Sequence, residues 1–124
     1  MLAETRTEMI QMVDTLSHEE LDSLPVGVIQ LDATGSILKY NETEANLARR
    51  TPHEVVGMNF FEDVAPCTRV QEFHGRFADG VARRELNTTF RYRFRFRDER
   101  VKDVTITMAY RPDSETVWVF VERP

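Results

Sequence analysis

Phe90-Arg91-Tyr92-Arg93-Phe94-Arg95-Phe96-Arg97 alternates aromatic and cationic side chains without a break. A period of two sends successive side chains to opposite faces of a β-strand, so the aromatics face a core and the arginines face water. Downstream, Val101 to Tyr110 alternates less regularly, and Arg111-Pro112-Asp113-Ser114-Glu115 carries turn chemistry. Val117-Trp118-Val119-Phe120-Val121 is apolar throughout. A strand apolar on both faces belongs in the middle of a sheet, so the chain closes with three strands, the last of them central.

Working back toward the N terminus, Phe73, Phe77 and Val81, with Gly80 nearby, have the spacing of an amphipathic helix that packs across one sheet face. Thr51-Pro52-His53-Glu54 opens a short helix with an N-cap and a proline at the first helical position, and Gly57 stops it. Asn41, with Glu44 three residues on, opens another. Val26 to Leu31 and Ser36 to Tyr40 read as strands joined by the turn Asp32-Ala33-Thr34-Gly35. Ahead of them, Met9, Met12, Val13 and Leu16 share a helical face, and Ser17-His18-Glu19-Glu20 matches a capping box. The expected fold class is α+β: a single antiparallel sheet of about five strands flanked by helices, with an N-terminal helical cap. Residues 1–24 are assigned to the cap and 25–124 to the core of one domain. There is no internal repeat, low-complexity tract or linker.

A chain of 124 residues with 41% hydrophobic and 30% charged side chains is ordinary for a water-soluble domain. No apolar run approaches the roughly 18 residues that span a bilayer. Met1-Leu2-Ala3-Glu4-Thr5-Arg6 has no basic region followed by an apolar stretch, so a cytoplasmic location without a membrane anchor is expected. One cysteine excludes an internal disulfide, and three histidines at unrelated spacings form no metal-ligand pattern. A net charge of −5 argues against a nucleic-acid partner, because such affinity rests on cationic contacts to phosphates.

Several residues admit more than one reading. Glu44 fits the acid of a capping box. Tyr40, at a strand end, fits a core or rim position. Cys67 follows Val64-Ala65-Pro66 in a loop after Phe60-Phe61, where a lone cysteine is either a small buried hydrophobe or a thiol activated by its surroundings. The arginine row has the composition of a single-strand nucleic-acid platform, but alternation puts its cations and rings on opposite faces, which favours a solvated cationic face. Cys67 with His74 could form a nucleophile and base, although no hydrolase signature accompanies them.

Ile29-Gln30-Leu31-Asp32, Ile37-Leu38-Lys39-Tyr40-Asn41, Gly57-Met58-Asn59-Phe60-Phe61 and Asp63-Val64-Ala65-Pro66-Cys67-Thr68 together closely resemble the photoactive yellow proteins. The likeness runs from about Leu21 to the C terminus, including Leu86-Asn87-Thr88 and Trp118-Val119-Phe120-Val121. It implies a PAS fold and a blue-light photoreceptor, not an enzyme. It also implies p-coumaric acid (4-hydroxycinnamic acid) held as a thioester on Cys67, its phenolate buried and hydrogen-bonded by Tyr40 and Glu44. By the same resemblance Arg50 covers the pocket, and Phe60, Val64, Ala65, Thr68 and Phe94 form its walls. Light isomerises the alkene in that family. Proton transfer from Glu44 then leaves a buried carboxylate, and the N-terminal cap loosens as a signal to a downstream partner, whose identity the sequence does not disclose. A monomer or weak dimer is expected.

The chain departs from the family pattern in three places. Ala48 stands where a threonine is common, Phe96 where a tyrosine is usual, and no methionine occurs between Phe96 and Val104, in a loop one residue longer. These departures predict a working pigment with slow dark recovery. The alternative from another class is a PAS-like ligand-binding or interaction module that carries no pigment.

Overall fold

The computed structural model describes residues 6–123; residues 1–5 and Pro124 lie outside the described residues, and with them most of the stretch read for a leader. Five strands form one antiparallel sheet: β1 Gly27–Asp32, β2 Ile37–Tyr40, β3 Asn87–Arg95, β4 Val101–Arg111 and β5 Thr116–Glu122. Their order is β2-β1-β5-β4-β3. The apolar closing strand is central, as its composition requires, and is buried from Thr116 through Val121.

On β3 the arginines at 91, 93 and 95 are exposed, while Phe90 and Tyr92 are half-buried and Phe94 is buried. The strand stops one residue before Phe96. There the Phe96 amide donates to Arg100 O and the Glu99 amide to Phe96 O, with Glu99 in the left-handed region at φ 70°. Phe96, read as part of the strand, therefore belongs to the β3–β4 turn, yet its ring stays buried. The β1–β2 turn is set by Asp32, whose Oδ1 accepts from the Thr34 and Ser36 amides, and by Gly35 at φ 93°.

The inner sheet face is covered by α3 Glu42–Ala48, α4 Pro52–Val55, a π-helical turn Phe60–Val64, a 3-10 turn Pro66–Thr68, and a second π-helical turn Gln71–Gly75 that runs into α5 Arg76–Arg83. The expected helix through Phe73, Phe77 and Val81 thus begins with a widened turn, and Phe73 and Phe77 are buried. Phe73 meets Phe90 and Tyr92 edge-on, with ring centroids 5.4 and 5.3 Å apart. Strand aromatics and helix aromatics so close the same core with Ile29, Leu31, Ile106 and Val119.

Against the outer face pack α1 Arg6–Met12, a 3-10 turn Val13–Thr15, and α2 His18–Ser23. Met9, Val13, Leu21 and Leu24 from this segment form a second cluster with Val28, Trp118 and Phe120 of the sheet. The capping box at Ser17 is complete: the Glu20 amide donates to Ser17 Oγ at 3.1 Å, and the Ser17 amide to Glu20 Oε1 at 2.9 Å.

Candidate functional site

Asn59 starts the loop that carries the cysteine. Its Oδ1 accepts from the amides of Phe61 and Glu62 at 3.0 and 3.1 Å, and the Ala65 amide reaches back five residues to Phe60 O at 2.7 Å. This widened turn brings Phe60, Val64 and Ala65 to one cavity. Pro66 then opens the tight turn that carries Cys67 and Thr68. The Thr68 hydroxyl donates to Ala65 O at 2.6 Å and is fully buried, so it braces the loop and lines neither compartment described below. Cys67 is half-buried and free. Its thiol donates to Arg95 O at 3.5 Å, and the Tyr92 hydroxyl donates to Cys67 O. Burial, and after it the neighbouring Cys67, holds the Tyr92 phenol above its ordinary value and keeps it a donor.

Two compartments meet here. The inner one is a narrow space between Tyr40, Glu44, Ala48, Phe60, Ala65 and Phe94, together with Arg50, Val64, Phe96 and Arg97. The outer one is wider and is bounded by Asp63, Pro66, Cys67 and Arg95 and by the same Arg50, Val64, Phe96 and Arg97. Those four shared residues form the wall between a wide mouth at Cys67 and a closed end at Tyr40 and Glu44. Tyr40, Glu44, Arg50, Phe60, Val64, Ala65, Phe94 and Phe96 therefore gather around the inner compartment and Cys67 around the outer. Ala48, Asp63, Pro66, Arg95 and Arg97 complete the lining.

Glu44 is 1% exposed, and its Oε1 has no hydrogen-bond partner. Burial pushes this carboxyl from 4.5 up to about 8, so it is largely protonated at neutral pH. The capping-box reading fails for a long-range reason. The Glu44 amide donates to Asn41 Oδ1 at 3.0 Å, as an N-cap demands, but the Asn41 amide that a capping-box acid would bond is taken by Val28 O at 3.0 Å. The carboxyl turns instead over Gly27, where an added Cβ would lie 2.1 Å from Oε1. Gly27 is thus a site residue that sequence reasoning passed over. Burial likewise holds the Tyr40 phenol above its ordinary value, with the Glu44 carboxyl adding in the same direction.

The helical turn that bears Glu44 is tied to α2. Asn41 Nδ2 donates to Leu21 O at 2.8 Å and to Val26 O at 3.0 Å. The Glu42 amide donates to Asp22 Oδ1 at 2.8 Å, and the Thr43 hydroxyl to Leu24 O at 2.5 Å. At the other end, Arg50 is buried and its Nε donates to Glu54 Oε1 at 2.9 Å, while Arg97 lies 3.8 Å from the other Glu54 oxygen. Arg100 stacks 4.7 Å from the Phe96 ring centre and donates to Leu47 O at 3.0 Å, which binds the β3–β4 turn to α3. His74 packs against Phe61 at 4.7 Å, and the Cys67 thiol bonds to a backbone oxygen, so these two do not form a nucleophile and base pair.

Comparison with known proteins identifies the family and the fold. The PAS fold family matches residues 16–123. The photoactive yellow protein of Halochromatium salexigens is 45% identical over 108 residues, covering 87% of this chain and 86% of the relative. That of Cereibacter sphaeroides is 40% identical over 105 residues, covering 85% and 84%. The chain belongs to the photoactive yellow protein family. Photoactive yellow proteins are PAS-type photoreceptors, and the five-stranded sheet with its inner helices is that fold. The crystal structure of the photoactive yellow protein domain from the sensor histidine kinase Ppr of Rhodospirillum centenum superposes with a TM-score of 0.86 at 41% identity, over 91% of this chain and 98% of that one. No helix among the described residues is long and apolar enough to cross a membrane.

Proposed function

We propose that this chain is a blue-light photoreceptor that binds p-coumaric acid as a thioester on Cys67 Sγ. The observation that carries the reading is the buried Glu44 carboxyl with an unpartnered Oε1, at the closed end of a passage whose mouth holds the free thiol. A buried neutral acid without a partner is costly, and a phenolate oxygen is the acceptor that would satisfy it. Bound there, the group supplies blue-light absorption and an alkene that isomerises from trans to cis.

Cys67 Sγ holds the acyl end, while the Tyr40 hydroxyl and Glu44 Oε1 donate to the phenolate oxygen. Phe60, Val64, Ala65, Phe94 and Phe96 give the ring apolar walls and keep water out, and Arg50 closes the wall between the compartments. Thr68 acts by holding the Cys67 loop. After light absorption Glu44 gives its proton to the phenolate oxygen and becomes a carboxylate in an apolar interior. An unpaired buried charge costs several kcal/mol, comparable with the whole stability of a domain. The nearest relief is to loosen α2, whose carbonyls and Asp22 clasp the turn that bears Glu44. Residues 1–24 thus serve as the releasable cap and 25–124 as the pigment-bearing core, with output to a downstream signalling partner in the cytoplasm.

The test is to incubate the purified chain with an activated ester of p-coumaric acid. The expected product is yellow, heavier by one coumaroyl group, and reversibly bleached by blue light, with Cys67→Ala unmodified. A colourless, unmodified wild-type product would refute the reading in favour of a pigment-free PAS module, and steady release of free acid would favour a hydrolase.

A further inference from the structure

The outer sheet face combines an apolar centre with cationic flanks. Val28, Trp118 and Phe120 form the centre, beneath Met9 and Val13. Strand pairing puts Ala109 and Thr107 beside Trp118 and Phe120, then Thr105 beside Arg91. Beyond lie the exposed Arg91, Arg93 and Arg95 of β3, of which Arg93 already donates to Asp103 Oδ1 at 3.0 Å. Arg111 flanks the centre on β4, and Lys39 of β2 lies 5.7 Å from the Trp118 ring centre.

The segment now seated there matches this surface in one telling detail. Asp14, directly after Val13, accepts a hydrogen bond from Trp118 Nε1 and another from Arg111 Nε, each 2.6 Å long. Its carboxylate bridges β4 and β5, strands about a hundred residues away in sequence. The sheet face thus presents two convergent N–H donors, one cationic, beside an apolar floor. That is the chemistry for reading a carboxylate on an amphipathic helix.

We propose that this face is the docking surface for an acidic amphipathic helix of a partner protein, and that Asp14 is the resident carboxylate such a helix must replace. The pattern of the resident defines the ligand: two apolar residues four apart, as Met9 and Val13 are, followed at once by an acid. Release of the resident segment by light rests on the function proposed above; the surface itself does not. The charge of the flanks selects an acidic partner.

The probe is a labelled peptide with the sequence of residues 6–16, alongside the same peptide carrying Asp→Asn at the position of Asp14. Binding to the full-length, pigment-free chain is followed by fluorescence anisotropy in darkness. Asp14→Asn in the chain is expected to admit the acidic peptide about tenfold more tightly than wild type, because the resident then competes without its charged bond. Arg111→Met added to that variant is expected to abolish the gain, and the amide peptide to bind weakly to all three. Circular dichroism confirms that each variant is folded. Equal affinity for acidic and amide peptides, or equal affinity of wild type and Asp14→Asn, would overturn the proposal. So would conversion of Asp14→Asn into a dimer by sedimentation, since the occupant would then be a second copy. If Asp14→Asn binds in the dark while illuminated, pigment-loaded wild type does not, the surface stands and the light-release reading falls.

Discussion

Glu44 lies beneath the inner face of the sheet with one carboxyl oxygen unpartnered, whereas Asp14, against the outer face, receives N–H groups from Arg111 and Trp118 at 2.6 Å each. The difference is one of supply. Asp14 is partly exposed and meets two donors, so it holds two parts of the chain together. Glu44 is buried, so its proton stays on, and its Oε1 has no partner. The same functional group makes a fastening in one environment and a poised proton donor in the other.

The sharpest way to break this contrast is to remove the space that Glu44 uses. Gly27→Ala would set a methyl group 2.1 Å from Oε1 and 3.2 Å from Cβ and Cδ of Glu44, so the buried carboxyl must move. The expected cost is about 2–3 kcal/mol in urea unfolding, together with failure to take up pigment. Unchanged stability and loading would show that the carboxyl does not rest there.

Protonation gives the next largest effect. In the pigment-free chain Glu44 titrates at about 8 when folded and near 4.5 when unfolded. Between those values the folded state holds a proton that the unfolded state has released, so raising the pH favours unfolding. Stability from this group is therefore complete below about 4.5, falls through the window by a few kcal/mol, and levels off above 8. Denaturation midpoints recorded across that range should slope downward in wild type relative to Glu44→Gln. Parallel curves would mean that the carboxyl is already ionised at neutral pH.

On the outer face the effects are smaller. Asp14→Asn should cost about 1–2 kcal/mol and speed proteolysis ahead of residue 17 without altering the core. Thr43→Val, which deletes the bond to Leu24 O, should cost about 1 kcal/mol and loosen α2 alone. Hydrogen exchange resolves the two: protection lost equally throughout the sheet would contradict a separately fastened segment.

Local pattern carried most of the fold. The alternation from Phe90, the apolar run at Val117 to Val121, and the caps at Ser17, Asn41 and Thr51 each rest on neighbours a few residues away, and the structure keeps them all. Resemblance named Tyr40, Glu44, Arg50, Phe60, Val64, Ala65, Phe94 and Phe96, which line the inner compartment, and Cys67, which lines the outer, but also Thr68, which lines neither. What stayed hidden depends on distant partners. The Asn41 amide was free to bond Glu44 until β1 claimed it through Val28 O, and Asp14 had no visible role until β4 and β5 were placed beside it. Gly27 read as an ordinary strand residue because its importance lies in what a missing side chain leaves open. The two π-helical turns have no compositional signature, so their residues read as loop or plain helix.

Infrared difference spectroscopy of the pigment-loaded protein tests the central claim most directly. A neutral Glu44 predicts a protonated-carboxyl C=O band in darkness that is lost on illumination, replaced by carboxylate bands, and missing from Glu44→Gln. A dark state without that band, or one in which the band survives illumination unchanged, would contradict the account.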